Sequence, residues 1–176
     1  MSWKRLKSKR VYDNNWISVF DDDVINPGGG YNVYGRVHFK HLAIGIVPIS
    51  DEGDTWLVGQ ERYTLGEYSW EIPMGGGRLD EPPINAARRE LLEETGLSAG
   101  RWTELMRLTT SNSVTDERGL VFVAQELTAG EPDFDETEDL QIRRIPLHEA
   151  LAMAHSGAIT DAISVAALLK VAMTRK

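Results

Sequence analysis

Apolar and polar residues alternate loosely over residues 9–25, where Trp16, Ile17, Val19, Phe20, Val24 and Ile25 stand among polar neighbours before Asn26-Pro27-Gly28-Gly29-Gly30. Period-two alternation that stops at a Pro/Gly cluster predicts a strand and then a turn. Residues 31–39 give a second strand, and residues 42–48 form an apolar run of the kind buried on both faces. Asp51-Glu52-Gly53-Asp54 is a turn signal before another apolar strand over residues 55–60. The first 60 residues therefore predict antiparallel β structure. Further on, Glu81-Pro82-Pro83 precedes Ile84, Ala87, Leu91 and Leu92 at helical spacing, and Gly96 supplies a C-cap. Strands follow at 120–127 and 142–145. Two helices finish the chain, one over 147–155 before Gly157 and one from Asp161 to about Met173. The pattern predicts a mixed α and β architecture, a sheet covered by helices, with no internal repeat and no linker that divides the chain.

A length of 176 residues fits one substantial core, and 41% apolar with 26% charged residues is ordinary globular usage. The net charge of −8 argues against non-specific nucleic-acid binding, which needs a basic surface, so an anionic substrate must be met locally by cations or metals. The chain has no cysteine, which excludes thiolate nucleophiles, disulfides and cysteine-ligated metals and fits a cytoplasmic location. No apolar segment has the length of a membrane span, and the basic residues 1–10 lead into no signal-peptide core. His38, His41, His148 and His155 lack metal-ligand spacing, and the five tryptophans, Trp3 and Trp16 included, are expected in the core rather than as stacking platforms.

The chemistry concentrates in Gly75-Gly76-Gly77-Arg78-Leu79-Asp80-Glu81 and Arg89-Glu90-Leu91-Leu92-Glu93-Glu94-Thr95-Gly96-Leu97. On a helix Glu90, Glu93 and Glu94 project from neighbouring parts of one face, with Arg89 four residues from Glu93. A Glu-rich helix is usually a solvated face, but clustered carboxylates are also what a hard cation such as Mg²⁺ takes as oxygen ligands beside substrate phosphates. The glycine run predicts a flexible stretch whose backbone can approach a metal or phosphate closely before the helix starts. No G-K-[ST] element follows it, so a P-loop is not supported.

The spacing resembles the Nudix box, G-x₅-E-x₇-R-E-U-x-E-E-x-G-U with U aliphatic. Gly75, Glu81, Arg89, Glu90, Leu91, Glu93, Glu94, Gly96 and Leu97 stand at every fixed position. Seven identities at one register arise by chance with a probability on the order of 10⁻⁹. The resemblance implies an α+β Nudix fold, an α/β/α sandwich with a mixed sheet, and hydrolysis of a nucleoside diphosphate linked to another group. It implies Mg²⁺, with Mn²⁺ as substitute, held by Glu90 and Glu94 with help from Glu93, Glu81 and the carbonyl of Met74. Arg89 would orient the carboxylates by ion pairing.

Within that family the chain looks similar to the ADP-ribose and nucleoside diphosphate sugar pyrophosphatase branch. Gln60-Glu61-Arg62 and Trp70-Glu71-Ile72-Pro73-Met74-Gly75 resemble its Q-x-R and W-E-x-P-x-G elements, and Asp135-Glu136-Thr137-Glu138-Asp139 resembles its acidic catalytic loop. Glu138, or else Glu136, is then the candidate general base, since a carboxylate near bound metal can take a proton from water. Arg62, Glu71, Arg36 and Gly75 are candidates for contacting substrate. Asn112 falls where the ADP-ribose enzymes carry a proline, so nucleotide sugars generally are expected rather than ADP-ribose in particular. Residues 1–40 resemble a β extension through which such enzymes pair as homodimers, and residues 41–176 the hydrolase domain. Two alternatives stand beside this reading: a house-cleaning pyrophosphatase of modified nucleoside triphosphates, and a Nudix-like sensor that binds nucleotide sugars without cutting them.

Overall fold

A computed structural model of the chain describes residues 2–131 and 140–174. The elements are β1 (Lys4–Asp13), β2 (Ile17–Ile25), β3 (Tyr31–Phe39), β4 (His41–Pro48), β5 (Asp54–Arg62), β6 (Glu67–Glu71), β7 (Met74–Arg78), α1 (Pro83–Thr95), β8 (Leu97–Thr109), β9 (Arg118–Ala129), β10 (Gln141–Pro146), α2 (Leu147–Ser156) and α3 (Ala162–Thr174). Among the described residues they form three sheets, β1-β2-β3, β10-β5-β6 and β7-β4-β9-β8.

The third sheet organises the core, and β4 shows how. Its successive side chains point to opposite faces. Leu42, Ile44 and Ile46 meet Ala86, Ala87 and Leu91 of α1, whereas Ala43 and Val47 join Ile72, Val121, Ile163, Leu168 and Val171 on the other face. Strand β9 repeats the division, with Leu120, Phe122 and Ala124 toward α1 and Val121 and Val123 away from it. One face is thus covered by α1 and the other by α2 and α3, which is the α/β/α sandwich of the expected α+β class. The sheet is mixed: β4 pairs antiparallel with β7 and parallel with β9. This revises the antiparallel expectation for the first 60 residues, because β9, the parallel partner of β4, arrives only after the α1 crossover.

Two helix ends follow their sequence signals. Gly96 closes α1 at φ 69° and Gly157 closes α2 at φ 80°, a left-handed conformation that glycine adopts without strain. Leu92, expected on the apolar side of α1, is exposed; Ala86, Ala87 and Leu91 make the buried face.

The single strand expected over 9–25 is two. Asn14 breaks it, its Oδ1 accepting the N–H groups of Trp16 and Ile17, each at 2.8 Å. Strand β1 pairs its basic residues with the acidic run of β2, Lys9 opposite Asp21 and Lys7 opposite Asp23. Between them Asp22 is buried, with Ser8 Oγ donating to Oδ1, Arg36 Nε donating to Oδ2 at 2.7 Å, and Arg5 3.9 Å away. Burial pushes the Asp22 carboxyl upward, but the hydrogen bonds from Ser8 and Arg36 overcome it and leave the group below the usual carboxylate range.

Two predictions follow from this packing. A Cβ on Gly77 would stand 2.7 Å from Ile44 Cγ1 and 3.3 Å from the Ala86 Cβ, so Gly77→Ala must push α1 away from β7. A loss of about 1–3 kcal/mol is expected, lowering the melting temperature by roughly 3–10 °C, whereas Gly35→Ala, which meets nothing within 4 Å, should change it far less. Equal melting of the two variants would contradict the close approach. For Asp22 the folded value lies below the unfolded one. Its contribution to stability is therefore present above the ordinary carboxylate range and lost as pH falls through the folded value. Asp22→Asn should flatten the acid limb of melting temperature against pH, and an unchanged limb would assign that limb to other groups.

Candidate active site

The glycine run, expected to be a flexible approach to the helix, is strand β7, paired with β4 through Gly75↔Ile44, Gly76↔Ala43 and Gly77↔Leu42. Its lack of side chains lets α1 lie directly against it. A Cβ on Gly75 would overlap the Glu90 carboxylate, so glycine is required there by that side chain. One residue earlier the Met74 N–H donates to Glu94 Oε2 at 2.8 Å, and one later Arg89 donates to the Gly76 carbonyl at 3.0 Å. Three successive residues of the strand thus meet Glu94, Glu90 and Arg89 of the helix.

Arg89 also ties the carboxylates together. It donates to Glu90 Oε1 at 3.0 Å and lies 3.5 Å from Glu81 Oε1 and 3.9 Å from Glu93 Oε2. Partial burial works against its charge, but the carboxylates of Glu90, Glu81 and Glu93 outweigh it, so the guanidinium holds its proton more firmly than usual. Glu81 in turn accepts the Arg78 N–H at 3.0 Å, which fixes the turn leading into α1. Glu94 is 3% exposed, and its bond from Met74 offsets part of the cost of burying a carboxylate.

A second cluster adjoins this one through Met74. A cavity of about 340 Å³ is lined by Arg62, Ser69, Glu71, Met74, Thr160 and Asp161. Arg62 grips the buried Glu71 in a bidentate pair, Nε to Oε1 at 2.9 Å and Nη2 to Oε2, and those bonds raise the Arg62 pKa above its ordinary value. Glu71 is 4% exposed, so this pair fixes the guanidinium at the cavity wall.

Arg36 is not brought to these groups within the chain. It stands on β3 over the Phe20 ring, 4.1 Å from its centroid, in a separate cavity of about 490 Å³ with Trp3, Asp22, Tyr34 and Asn112. Trp3 and Trp16, expected in the core, are exposed. Trp16 is 61% accessible, with its ring 4.8 Å from that of His41 and against the face of Gly76. Glu136 and Glu138 lie outside the described residues. Asp161, marked in the sequence only as the start of the last helix, and Thr160 line the cavity without having been candidates for the site.

The Nudix domain profile matches residues 39–167, and the profile of the nucleoside diphosphate sugar hydrolase N-terminal domain matches residues 3–37. The chain belongs to the Nudix family. This Nudix protein is 34% identical over 175 residues to the ADP-ribose pyrophosphatase of Mycobacterium tuberculosis, covering 96% of the chain and 83% of that relative. It is 32% identical over 162 residues to the ADP-ribose pyrophosphatase of Bacillus subtilis, covering 90% and 86%. Its fold matches the crystal structure of an ADP compounds hydrolase with a TM-score of 0.88 at 27% identity, covering 98% of this chain and 94% of that one.

Nudix hydrolases use a divalent metal. The donor set fits one. Glu90, Glu93 and Glu94 offer hard oxygen ligands on a single helix face, and the Glu90 carboxylate itself fills the space that a Cβ on residue 75 would need. Among the described residues no three His, Cys, Asp or Glu side chains are drawn together as a ready cation site. Gly75→Ala tests this arrangement. The atom it meets is the far end of a flexible side chain, so the fold should persist, with melting changed by no more than about 4 °C. Displacing Glu90 should lower metal affinity and turnover about 10–100-fold. Normal turnover by the folded variant would show that the seat of Glu90 is dispensable.

Proposed function

We propose that this Nudix hydrolase cuts the pyrophosphate bond of a nucleoside diphosphate sugar such as ADP-ribose or ADP-glucose, releasing a nucleoside monophosphate and a sugar phosphate, with Mg²⁺ as its cation and Mn²⁺ as a substitute. The observation that carries the reading is the position of Met74. Its N–H holds Glu94 of the acidic helix, and the same residue lines the cavity into which the Arg62–Glu71 pair is fixed. Cation-holding carboxylates and a diphosphate-binding guanidinium therefore stand on two sides of one residue. The names of the relatives agree with a diphosphate substrate.

In this reading Glu90 and Glu94 hold the cation, helped by Glu93, Glu81 and the Met74 carbonyl. When bound, the divalent ion neutralises the diphosphate and acidifies the attacking water. Arg89 orients the carboxylates by ion pairing with Glu90, Glu81 and Glu93. Arg62, restrained by Glu71, binds diphosphate oxygens as a planar fork, which lowers the ordering cost of that contact. Gly75, the candidate substrate contact on β7, leaves room for the Glu90 carboxylate against the strand. The water oxygen bonds to phosphorus as the bridging P–O bond breaks, and its proton passes to Glu138 or, failing that, Glu136.

The same proposal includes residues 1–40 as a pairing module for a homodimer and residues 41–176 as the hydrolase domain, with Arg36 serving substrate across the pair. The exposed Leu6, Tyr12, Tyr31 and Val33 of the N-terminal sheet support the pairing. A cytoplasmic location suits the absence of cysteine, and no helix among the described residues is long and apolar enough to cross a membrane.

The test is a panel of nucleotide sugars, dinucleotides and triphosphates incubated in Mg²⁺ with the protein and with Glu94→Gln, products being resolved by chromatography. Monophosphate and sugar phosphate are expected, with turnover by the variant reduced about 10³-fold, the equivalent of several kcal/mol of lost charge stabilisation. Release of pyrophosphate from triphosphates alone would replace the proposal with triphosphate house-cleaning. Binding of a nucleotide sugar that stays intact would make the protein a sensor.

A further inference from the structure

Helix α3 buries an apolar face made by Ile163, Ala167, Leu168 and Val171, and in the middle of it stands Ser164, with no exposed surface. A hydroxyl there is costly unless it is bonded. Its Oγ accepts the N–H of Ile72 at 3.0 Å, across 92 residues of sequence. Ile72 and Pro73 form the joint at which the chain leaves β6 in one sheet and enters β7 in another. Two of the joint's backbone groups and the N–H that follows are held by three different elements. Ser164 takes the Ile72 N–H, Ile46 donates to the Pro73 carbonyl at 2.9 Å, and the next N–H, that of Met74, goes to Glu94. Ile72 also packs its side chain against Gly45, beside Ile163. Ser164 is itself anchored, because Asp161 Oδ2 accepts its N–H at 2.7 Å as the cap of α3.

On one side of this joint lies Glu71, the partner of Arg62, and on the other Met74, the partner of Glu94. We propose that Ser164 is a positioning residue of the hydrolytic site: by pinning the Ile72 N–H it sets the joint that aims Glu94 and Glu71 together. Alanine removes the acceptor and leaves a buried N–H without a partner, so the joint relaxes and both carboxylates lose their placement. Threonine keeps the hydroxyl on the same carbon.

The proposal rests on Glu94 as a cation ligand, and the test separates the two. Mn²⁺ binding without substrate is measured by electron paramagnetic resonance for the unaltered protein, Ser164→Ala, Ser164→Thr and Glu94→Gln, beside kcat and KM for ADP-ribose and hydrogen exchange of the Ile72 and Met74 amides. Ser164→Ala should weaken Mn²⁺ binding and lower kcat, each about tenfold, speed exchange at both amides and raise KM several-fold through the loosened Arg62–Glu71 pair, with Ser164→Thr restoring Mn²⁺ affinity, kcat and KM. A folded Ser164→Ala with unchanged Mn²⁺ affinity and kcat overturns the positioning role if Glu94→Gln has lost Mn²⁺. Unchanged Mn²⁺ binding by Glu94→Gln overturns the ligand reading on which the role depends. Where Ser164→Ala does not fold, Ser164→Thr is compared with Ser164→Val, equal in shape and differing in the hydroxyl; equal Mn²⁺ affinity in that pair also overturns the role.

Discussion

Everything at the site depends on how closely a helix can approach a strand. α1 and β7 touch where residues 75 and 77 have no side chains, and the two glycines serve different ends. At Gly77 the space is taken by Ile44 and Ala86, which is core packing; at Gly75 it is taken by the Glu90 carboxylate, which is chemistry. Gly76, between them, faces the other side of the sheet, where Trp16 lies. Period-two geometry thus assigns three identical residues to packing, site and N-terminal sheet in turn.

The approach brings charge into the interior, and the fold meets the cost with specific partners. Glu94 and Glu71 are both buried, and an unpartnered carboxylate in such surroundings would be neutralised or would destabilise the protein by several kcal/mol. Glu94 takes the Met74 N–H and Glu71 takes two donors from Arg62. These bonds also fix direction, so the same contacts that make burial tolerable aim the groups. The pair formed by Arg62 and Glu71 spans β5 and β6 of the small sheet, whereas Glu94 stands on α1 and meets β7 of the large one. Their relative placement therefore runs through the joint at Ile72 and Pro73.

The sequence made α1 legible because its signals are local: acidic spacing, prolines before it and Gly96 after it. It made β4 legible because an apolar run buried on both faces has few other uses. β1 is legible only from residue 9 and merges with β2, because its residues are exposed and largely charged and its alternation carries no hydrophobic contrast. β7 escaped notice because Met-Gly-Gly-Gly-Arg has low strand propensity and owes its state to pairing with β4. β8 is an edge strand with scattered burial, which blurs period two. Among candidate site residues, Glu90, Glu94, Arg62 and Glu71 were legible because the resemblance attaches to spacing. The exposure of Trp16 and the bond of Ser164 to Ile72 depend on which surfaces meet, and no local pattern encodes that.

β7 lies at the edge of its sheet, and a glycine-rich edge is a hazard, since its outward N–H and C=O groups can pair with another chain. Here the Met74 N–H is taken by Glu94 and the Gly76 carbonyl by Arg89. The helix thus covers the edge with the very side chains that form the candidate cation site. This explains why the strand can be so short of side chains without inviting a second sheet. It also implies that protection and chemistry are coupled: a change that draws Glu94 or Arg89 off β7 exposes the edge at the moment it disorders the site. Tight packing of α1 through Ala86, Ala87 and Leu91 limits that motion. The apolar face of the helix is therefore as much a part of the site as the acidic one.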